Sequence, residues 1–166
     1  MSSWIRFSSV DAERLFSADQ EAGASHWTLN QWAEELSHQD SFVWGDCDSM
    51  DKDVSAYLAV RVVAGECWLM NIAVRPHLRR QGRAALLMSH LLEFAASRSL
   101  AVFLEVRSTN QGAISLYEQS GFQRLSVRPG YYAGKNGDPK VDALVMRWQP
   151  TAAQGTAAAK TQLPDT

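Results

Sequence analysis

The fold of this chain is decided by the stretch NIAVRPHLRRQGRA, residues 71–84. It begins as an apolar strand segment that stops at Pro76, continues as a short basic loop with Gly82, and leads into a long helical pattern. This order places backbone N–H groups and a helix N-terminus beside several arginines, an arrangement suited to a phosphate-bearing ligand. For the segment alone, a basic loop that only caps a solvated helix is the simpler interpretation.

The loop differs from two common nucleotide-binding motifs. A dinucleotide fingerprint needs a third glycine, and here the preceding residues 55–63 and 66–74 are typical of a hairpin joined at Ala64-Gly65. A P-loop would end in Gly-Lys followed by Ser or Thr, whereas Gly82 is followed by Arg83 and Ala84. The segment by itself therefore leaves the identity of the phosphate ligand open.

Periodicity on both sides of this stretch predicts a mixed α/β domain rather than a strict βαβ repeat. An acidic turn is predicted from Gly45 to Lys52, and the helix after the basic loop is predicted to bury Leu86, Leu87, Leu91 and Leu92. The predicted elements are a strand at 4–7, a helix capped by Ser9 or Asp11, a helix from about Thr28, strands at 42–44, 55–63 and 66–74, a helix at 82–97, a strand at 100–106, a helix at 110–119, and strands at 122–127 and 143–148.

Composition fits a single domain. The chain has 166 residues, and we expect one domain over residues 1–150, followed by a disordered tail over 151–166 that is rich in Ala, Thr, Gln and Gly. The net charge of -2 argues against general binding to nucleic acid or to membrane surfaces. Cys47 and Cys67 lack metal-ligand spacing, so we expect free thiols and no metal site. The sequence shows neither a signal-peptide pattern nor an apolar run long enough for a membrane span, so we expect a cytoplasmic protein, and we expect it to be a monomer.

Glu105 stands out because it lies in the middle of the apolar strand FLEVR, residues 103–107. Strand alternation places it on the same face as Phe103 and Arg107. Apolar surroundings raise the pKa of a carboxyl group, which would suit a general base. A structural ion pair with Arg107 or another arginine explains the residue equally well.

Two further side chains follow this strand. Asn110 stands where its amide can cap the next helix or contact a ligand. Tyr117 lies inside that helix, where it is either a core aromatic or a phenol that gives a proton to a leaving group.

Taken together, these segments resemble the GNAT family of N-acetyltransferases. The resemblance spans roughly residues 4–148, is densest over 68–122, and lies in the ordered combination rather than in any one piece. It rests on Val74-x-Pro76, Arg79-x-x-Gly82-x-Ala84, Leu104-Glu105-Val106-Arg107, Asn110, and Ala113-Ile114-x-Leu116-Tyr117-Glu118-x-x-Gly121-Phe122. Within the family the chain is similar to the RimI subfamily, which acetylates the N-terminal alanine of a ribosomal protein.

The resemblance implies a twisted, mostly antiparallel mixed sheet, flanked by helices, that splays open to admit acetyl-CoA. It also implies a general base at Glu105, a general acid at Tyr117, and direct acetyl transfer without a covalent intermediate at Cys67. The implied acetyl-CoA contacts are Asn71, Ile72 and Ala73 for the acetyl and pantetheine arm, Arg79, Arg80, Gln81, Gly82, Arg83 and Ala84 for the pyrophosphate, and Asn110 for the CoA arm.

The implied acceptor is the N-terminus of small-subunit ribosomal protein eighteen. The main alternative is the same chemistry on another acceptor: a different protein N-terminus, a lysine, or a small-molecule amine. Two further alternatives are a non-catalytic CoA-binding module and a domain that binds ADP or NAD through the same loop. Arg128-Pro129-Gly130, which precedes Tyr131-Tyr132, departs from the subfamily's more basic run, so residues 128–138 carry the least information about the acceptor.

Overall fold

The computed structural model describes residues 4–47, 53–134 and 136–151. It divides into two compact units. The first contains the described residues up to Ala64 together with Trp68–Met88, and the second contains Gly65–Cys67 and the described residues from Ser89 onward. Within the described residues, no helix is both long and apolar enough to cross a membrane.

The first unit carries four strands in the order β1-β2-β3-β4. The pairs β1–β2 and β2–β3 are antiparallel, and Ala64 and Gly65, both at positive φ, form the tight turn from β3 to β4. The elements are β1 (Ile5–Arg6), α1 (Ala12–Ala22), α2 (Leu29–Ser37), β2 (Ser41–Cys47), β3 (Val54–Val63), β4 (Glu66–Val74) and the start of α3 (Arg83–Ser97).

The core of this unit surrounds a fully buried carboxylate, Asp19 on α1. Asp19 accepts hydrogen bonds from Trp32 Nε1 at 3.2 Å and from the Tyr57 hydroxyl at 2.8 Å. It also accepts from the backbone N–H of Ser25 at 3.0 Å and from the Ser25 hydroxyl. Burial, and then the neighbouring Asp19, raise the pKa of Tyr57, which remains a hydrogen-bond donor. The network ties α1, the loop that follows it, α2 and β3 together.

The second unit carries three strands in the order β5-β7-β6, and both pairs are antiparallel. The second unit also contains α3 from Ser89 onward. Gly121 at positive φ follows the unit's other helix and leads the chain into the next strand. The buried side chains of Val102, Leu104 and Met146 form its interior. The elements are β5 (Ala101–Arg107), α4 (Gln111–Gln119), β6 (Gln123–Tyr132) and β7 (Val141–Trp148).

The predicted fold class, mixed α/β with mostly antiparallel strands and flanking helices, is confirmed. The predicted second helix is confirmed as α2, and Thr28 caps it by exchanging hydrogen bonds with Gln31. The predicted single domain over 1–150 stays a prediction. The predicted tail, apart from Thr151, lies outside the described residues.

Three predictions of local structure were wrong. Gly45, Asp46 and Cys47 belong to β2 rather than to an acidic turn, and residues 48–52 of that predicted turn lie outside the described residues. Strand β6 continues to Tyr132 instead of ending near residue 127. Leu86 on α3 is 50% exposed, while Leu87 and Leu91 are buried as predicted.

Candidate active site

The basic loop after β4 leaves a row of backbone donors without protein acceptors. Arg80 (φ 62°) and Gly82 (φ 75°) both adopt left-handed backbone conformations just before α3 begins at Arg83. The backbone N–H groups of residues 80–84 donate to no residue in the described ranges. Because the first N–H groups of a helix lack intrahelical acceptors and carry partial positive charge, this loop can bind an anion.

Two of the four arginines near the loop attach it to the protein. Arg75 donates from Nε to the Val54 carbonyl at 2.7 Å and pairs with Glu21. Arg79 donates to the Ala22 carbonyl at 2.7 Å and to a second carbonyl on β4 at 3.1 Å. Because both guanidinium groups have protein acceptors, their first role is structural.

The remaining two arginines differ from each other. Arg83 pairs with Asp46 at the end of β2. Arg80 is exposed and has no hydrogen bond or ion pair with any described residue. Of the basic patch seen in the sequence, Arg80 is therefore the side chain whose charge is available to a phosphate.

Strand β4 carries Asn71, a polar side chain that is only 7% exposed. The Asn71 amide lies beside the Tyr57 hydroxyl, but the two groups do not meet hydrogen-bond geometry. The Asn71 Nδ2 atom is fully buried and has no acceptor at hydrogen-bond geometry among the described residues. A donor left in this state costs free energy unless a ligand satisfies it. The implied role of Asn71, Ile72 and Ala73 in binding an acetyl arm stays a prediction.

In the second unit, Glu105 on β5 forms an ion pair, with its Oε1 2.6 Å from Nη1 of Arg128. The Glu105 side chain is 18% exposed. The partner is Arg128 on β6 and not Arg107, whose guanidinium lies 4.5 Å from the centre of the Tyr132 ring and donates to the Ala133 carbonyl at 3.2 Å. The structure thus contains the ion pair that was the alternative explanation of Glu105. A proton-accepting role would require this pair to open.

Tyr117 on α4 is buried, and its ring centroid lies 5.9 Å from that of Phe122. Burial, followed by the nearby Tyr132, raises the pKa of Tyr117 to about 12. Its hydroxyl makes no hydrogen bond to any residue of the described part of the chain. The phenol therefore stays protonated at neutral pH and is free to donate.

Tyr132 is the residue that the sequence interpretation left without a role. It is partly buried, and its pKa is raised by burial and by the negative charge of Glu105, with Tyr131 adding to the effect and Arg107 opposing it. Its electrostatic interaction with both Glu105 and Tyr117 places it in the same cluster. The available sequence signal was the tyrosine pair that follows a Pro-Gly step.

Asn110 is the N-cap residue of α4 in the structure, and its Oδ1 accepts from the backbone N–H of Ala113 at 3.2 Å. The capping role is therefore observed. The implied contact with the CoA arm stays a prediction, and the amide nitrogen of Asn110 has no hydrogen bond to a described residue.

The cysteines are poor nucleophiles. Cys67 is fully buried, and burial raises its pKa to about 12 against the opposing charge of Arg98. Burial likewise raises the pKa of Cys47, whose sulfur accepts a hydrogen bond from Arg14 at 3.0 Å. A thiol with a raised pKa supplies little thiolate, so neither cysteine is suited to form a covalent intermediate.

Comparison with known proteins decides the family. The model of the acetyltransferase (GNAT) family matches residues 8–122, more than half of the 166 residues. The chain belongs to this family. It is an N-acetyltransferase, as the sequence predicted.

This acetyltransferase is similar in sequence and in structure to an enzyme of Escherichia coli. The chain is 33% identical over 138 residues to the [ribosomal protein bS18]-alanine N-acetyltransferase of strain K12, covering 82% of this chain and 90% of the relative. The crystal structure of the ribosomal-protein-S18-alanine N-acetyltransferase from the same species superposes with a TM-score of 0.82 at 28% identity, over 92% of this chain and 96% of that one. The predicted likeness to the RimI subfamily is confirmed.

A more distant neighbour shows the fold alone. Arabidopsis thaliana NAA60 in complex with acetyl-CoA superposes on this acetyltransferase with a TM-score of 0.77 at 16% identity, over 89% of this chain and 97% of the other.

Proposed function

We propose that this protein transfers the acetyl group of acetyl-CoA to the N-terminal alanine of a ribosomal protein, with small-subunit protein bS18 as the acceptor. The observation that carries this proposal is the 33% identity, over most of both chains, to an enzyme named for that reaction. A ribosomal acceptor would place the enzyme in the cytoplasm. Glu105 and Tyr117, which would serve as general base and proton donor, belong to one unit of the chain.

The loop after β4 suits the pyrophosphate of acetyl-CoA. The acceptor-free N–H groups of residues 80–84 offer several donors to phosphate oxygens, and Arg80 adds a positive charge. Residues 71–73 would hold the acetyl and pantetheine arm through their backbone. In this proposal Arg79 and Arg83 shape the loop, since both already have protein partners.

The acceptor amine needs modest activation. An α-amine has a pKa near 8, so roughly a tenth of it is neutral at pH 7, whereas a lysine near 10.4 is almost entirely charged. Glu105 would accept the proton of the attacking amine, either directly or through a water. Backbone N–H groups near residues 72–74 would stabilise the oxyanion of the tetrahedral intermediate. Tyr117 would protonate the departing thiolate of CoA.

The test of this proposal compares acceptors. Acetyl-CoA turnover, followed as thiol release, is expected with a peptide carrying the Ala-starting sequence of bS18 and not with the same peptide blocked at its N-terminus. Lysine and polyamines serve as the alternative acceptors. A preference for those free amines, or equal turnover of the blocked peptide, would contradict N-terminal specificity, and no turnover with any amine would contradict catalysis.

Replacing Arg80 by Ala is expected to raise the KM for acetyl-CoA about fivefold to thirtyfold, because one charge-assisted phosphate contact of about 1–2 kcal/mol is lost. The kcat should change little, since the loop does not touch the reacting atoms. The matched control is Arg98→Ala, a second exposed arginine that lies beyond α3. Titration of acetyl-CoA at saturating peptide makes the comparison. An unchanged KM in Arg80→Ala would remove Arg80 from the cofactor site.

A further inference from the structure

Glu105 forms an ion pair with Arg128, and this pair conflicts with the proposed role of Glu105 as proton acceptor. Among the described residues, the ion pair with Arg128 is the single salt bridge that Glu105 makes. A guanidinium stays charged at every physiological pH, and the acceptor amine arrives mostly as an ammonium group. The guanidinium of Arg128 and the ammonium group of the acceptor would therefore compete for the Glu105 carboxylate. The carboxylate cannot accept the amine's proton while the arginine occupies it.

The backbone explains why Arg128 reaches Glu105. Strand β7 lies between β5 and β6, and Ala143 is the register partner of both Arg107 and Arg128. Side chains at paired positions share a face of the sheet, and Glu105 is on the same face as Arg107 by alternation. The residue between Arg128 and Arg107 is therefore Ala143. Arg128 reaches Glu105 along the diagonal, because Glu105 itself pairs with Val145. The single methyl group of Ala143 leaves the long Arg128 side chain a path across β7.

The ladder is interrupted directly after Arg128. Arg128 pairs with Ala143 and Tyr132 with Val141, so four steps on β6 correspond to two on β7. Gly130 adopts a positive φ of 59° in this bulge, and its N–H donates to the Asp142 carboxylate at 2.8 Å. The arginine thus stands at the last regular position of the ladder before the tyrosine pair.

The Arg128 side chain can leave Glu105 and still have a favourable contact, with the ring of Tyr131. That side chain is 51% exposed, and an ion pair with that much solvent contact opens at little cost. The Arg128 guanidinium carbon lies 5.6 Å from the centre of the Tyr131 ring, within the range of a cation–π contact. Moving from Glu105 onto Tyr131 would keep the charge stabilised.

We propose that Arg128 occupies, on Glu105, the position that the acceptor amine takes during the reaction, so that every acceptor must displace it. This inference rests on the proposed function, because it takes Glu105 as the proton acceptor. A small free amine has only its own charge with which to displace the guanidinium. A peptide has further contacts along its backbone and displaces it more readily. Arg128 is in this way a specificity-determining residue that disfavours small amines.

The test uses Arg128→Met, which keeps the length of the side chain and removes its charge. Arg124→Met is the matched control, because Arg124 lies on the same strand, pairs with Glu118 at 2.8 Å and is 58% exposed. Two acceptors are compared, an Ala-starting peptide and alaninamide, at saturating acetyl-CoA. Thermal unfolding of each variant checks that the fold is kept.

In Arg128→Met the KM for alaninamide is expected to fall about twofold to fivefold, the worth of an exposed ion pair in affinity. The KM for the peptide should fall less, kcat should stay near that of the wild type, and Arg128→Lys should behave as the wild type. A higher KM or a lower kcat in Arg128→Met would overturn the inference, since Arg128 would then bind the acceptor. Equal changes in Arg124→Met would also overturn it. Failure of the proposed function itself would give a different result, because the wild-type enzyme would then acetylate neither the peptide nor alaninamide.

Discussion

Replacing Glu105 by Gln is expected to lower kcat for N-terminal acetylation by about 10²- to 10⁴-fold, the usual contribution of a general base. Glutamine keeps the size and the hydrogen-bonding oxygen of the side chain but cannot accept a proton. The KM for acetyl-CoA should not change, because Glu105 lies outside the loop proposed to hold the cofactor. Initial rates with the Ala-starting peptide, followed as thiol release, give both constants.

Glu118→Gln is the matched control for that measurement. Glu118 on α4 also pairs with an arginine of β6, Arg124, but it is half-exposed and has no proposed role in proton transfer. Its variant should retain the wild-type rate. If Glu105→Gln kept it as well, the assignment of Glu105 as the base would be wrong.

Tyr117→Phe is the companion variant for the proton donor. Its kcat should also fall, about 10²-fold, because the thiolate of CoA would leave without protonation. With its pKa at about 12, Tyr117 in the wild type stays protonated as the acceptor amine loses its proton near pH 8, so kcat/KM should rise through pH 8 and then level off. A decline between pH 8 and 10 that disappears in Tyr117→Phe would contradict this assignment.

Replacing Asp19 by Ala is expected to lower the free energy of unfolding by about 3–5 kcal/mol. The change leaves the buried donors of Trp32, Tyr57 and Ser25 without their acceptor. A loss of that size is a large part of the stability of an ordinary domain, about 5–15 kcal/mol. Urea unfolding followed by tryptophan fluorescence measures it, since Trp32 lies in the network.

Glu13→Ala on the same helix is the control, because Glu13 is exposed and should change stability by no more than about 0.5 kcal/mol. If Asp19→Ala does not fold at all, Tyr57→Phe provides a milder variant. It removes one donor and leaves the carboxylate three others, with an expected loss of about 1 kcal/mol. Equal stability of Asp19→Ala and Glu13→Ala would show that the network contributes nothing.

Local signals explain what the sequence could predict. The helix predicted from about Thr28 is α2, Asn110 caps α4 as its position allowed, and Gly121 ends α4. Each of these depends on residues a few positions apart, where hydrogen-bond geometry and backbone preference act directly. The ordered motifs from Val74 to Phe122 were enough for the family and the class of enzyme.

The errors came from contacts between distant residues. Gly45 and Asp46 have the composition of a turn, but glycine is needed in β2 because a Cβ at position 45 would lie 2.1 Å from the Ala56 carbonyl oxygen. No local pattern marks Asp19 as a buried residue, because its donors Trp32 and Tyr57 come from α2 and β3.

The partner of Glu105 could not be identified from spacing either. Arg128 becomes its neighbour only through the strand order β5-β7-β6, which no local pattern encodes.

The irregular ladder of β6 has a consequence beyond the chemistry. Strand β6 stands at the end of the strand order, and its residues 123–129 are exposed. Regular edge strands are templates on which a second chain can add and aggregate. Here the register shifts at Leu125 and again at Pro129-Gly130, and Pro129 has no N–H to offer. The bulges that set the positions of Arg128 and Tyr132 therefore also protect this edge from pairing with another molecule.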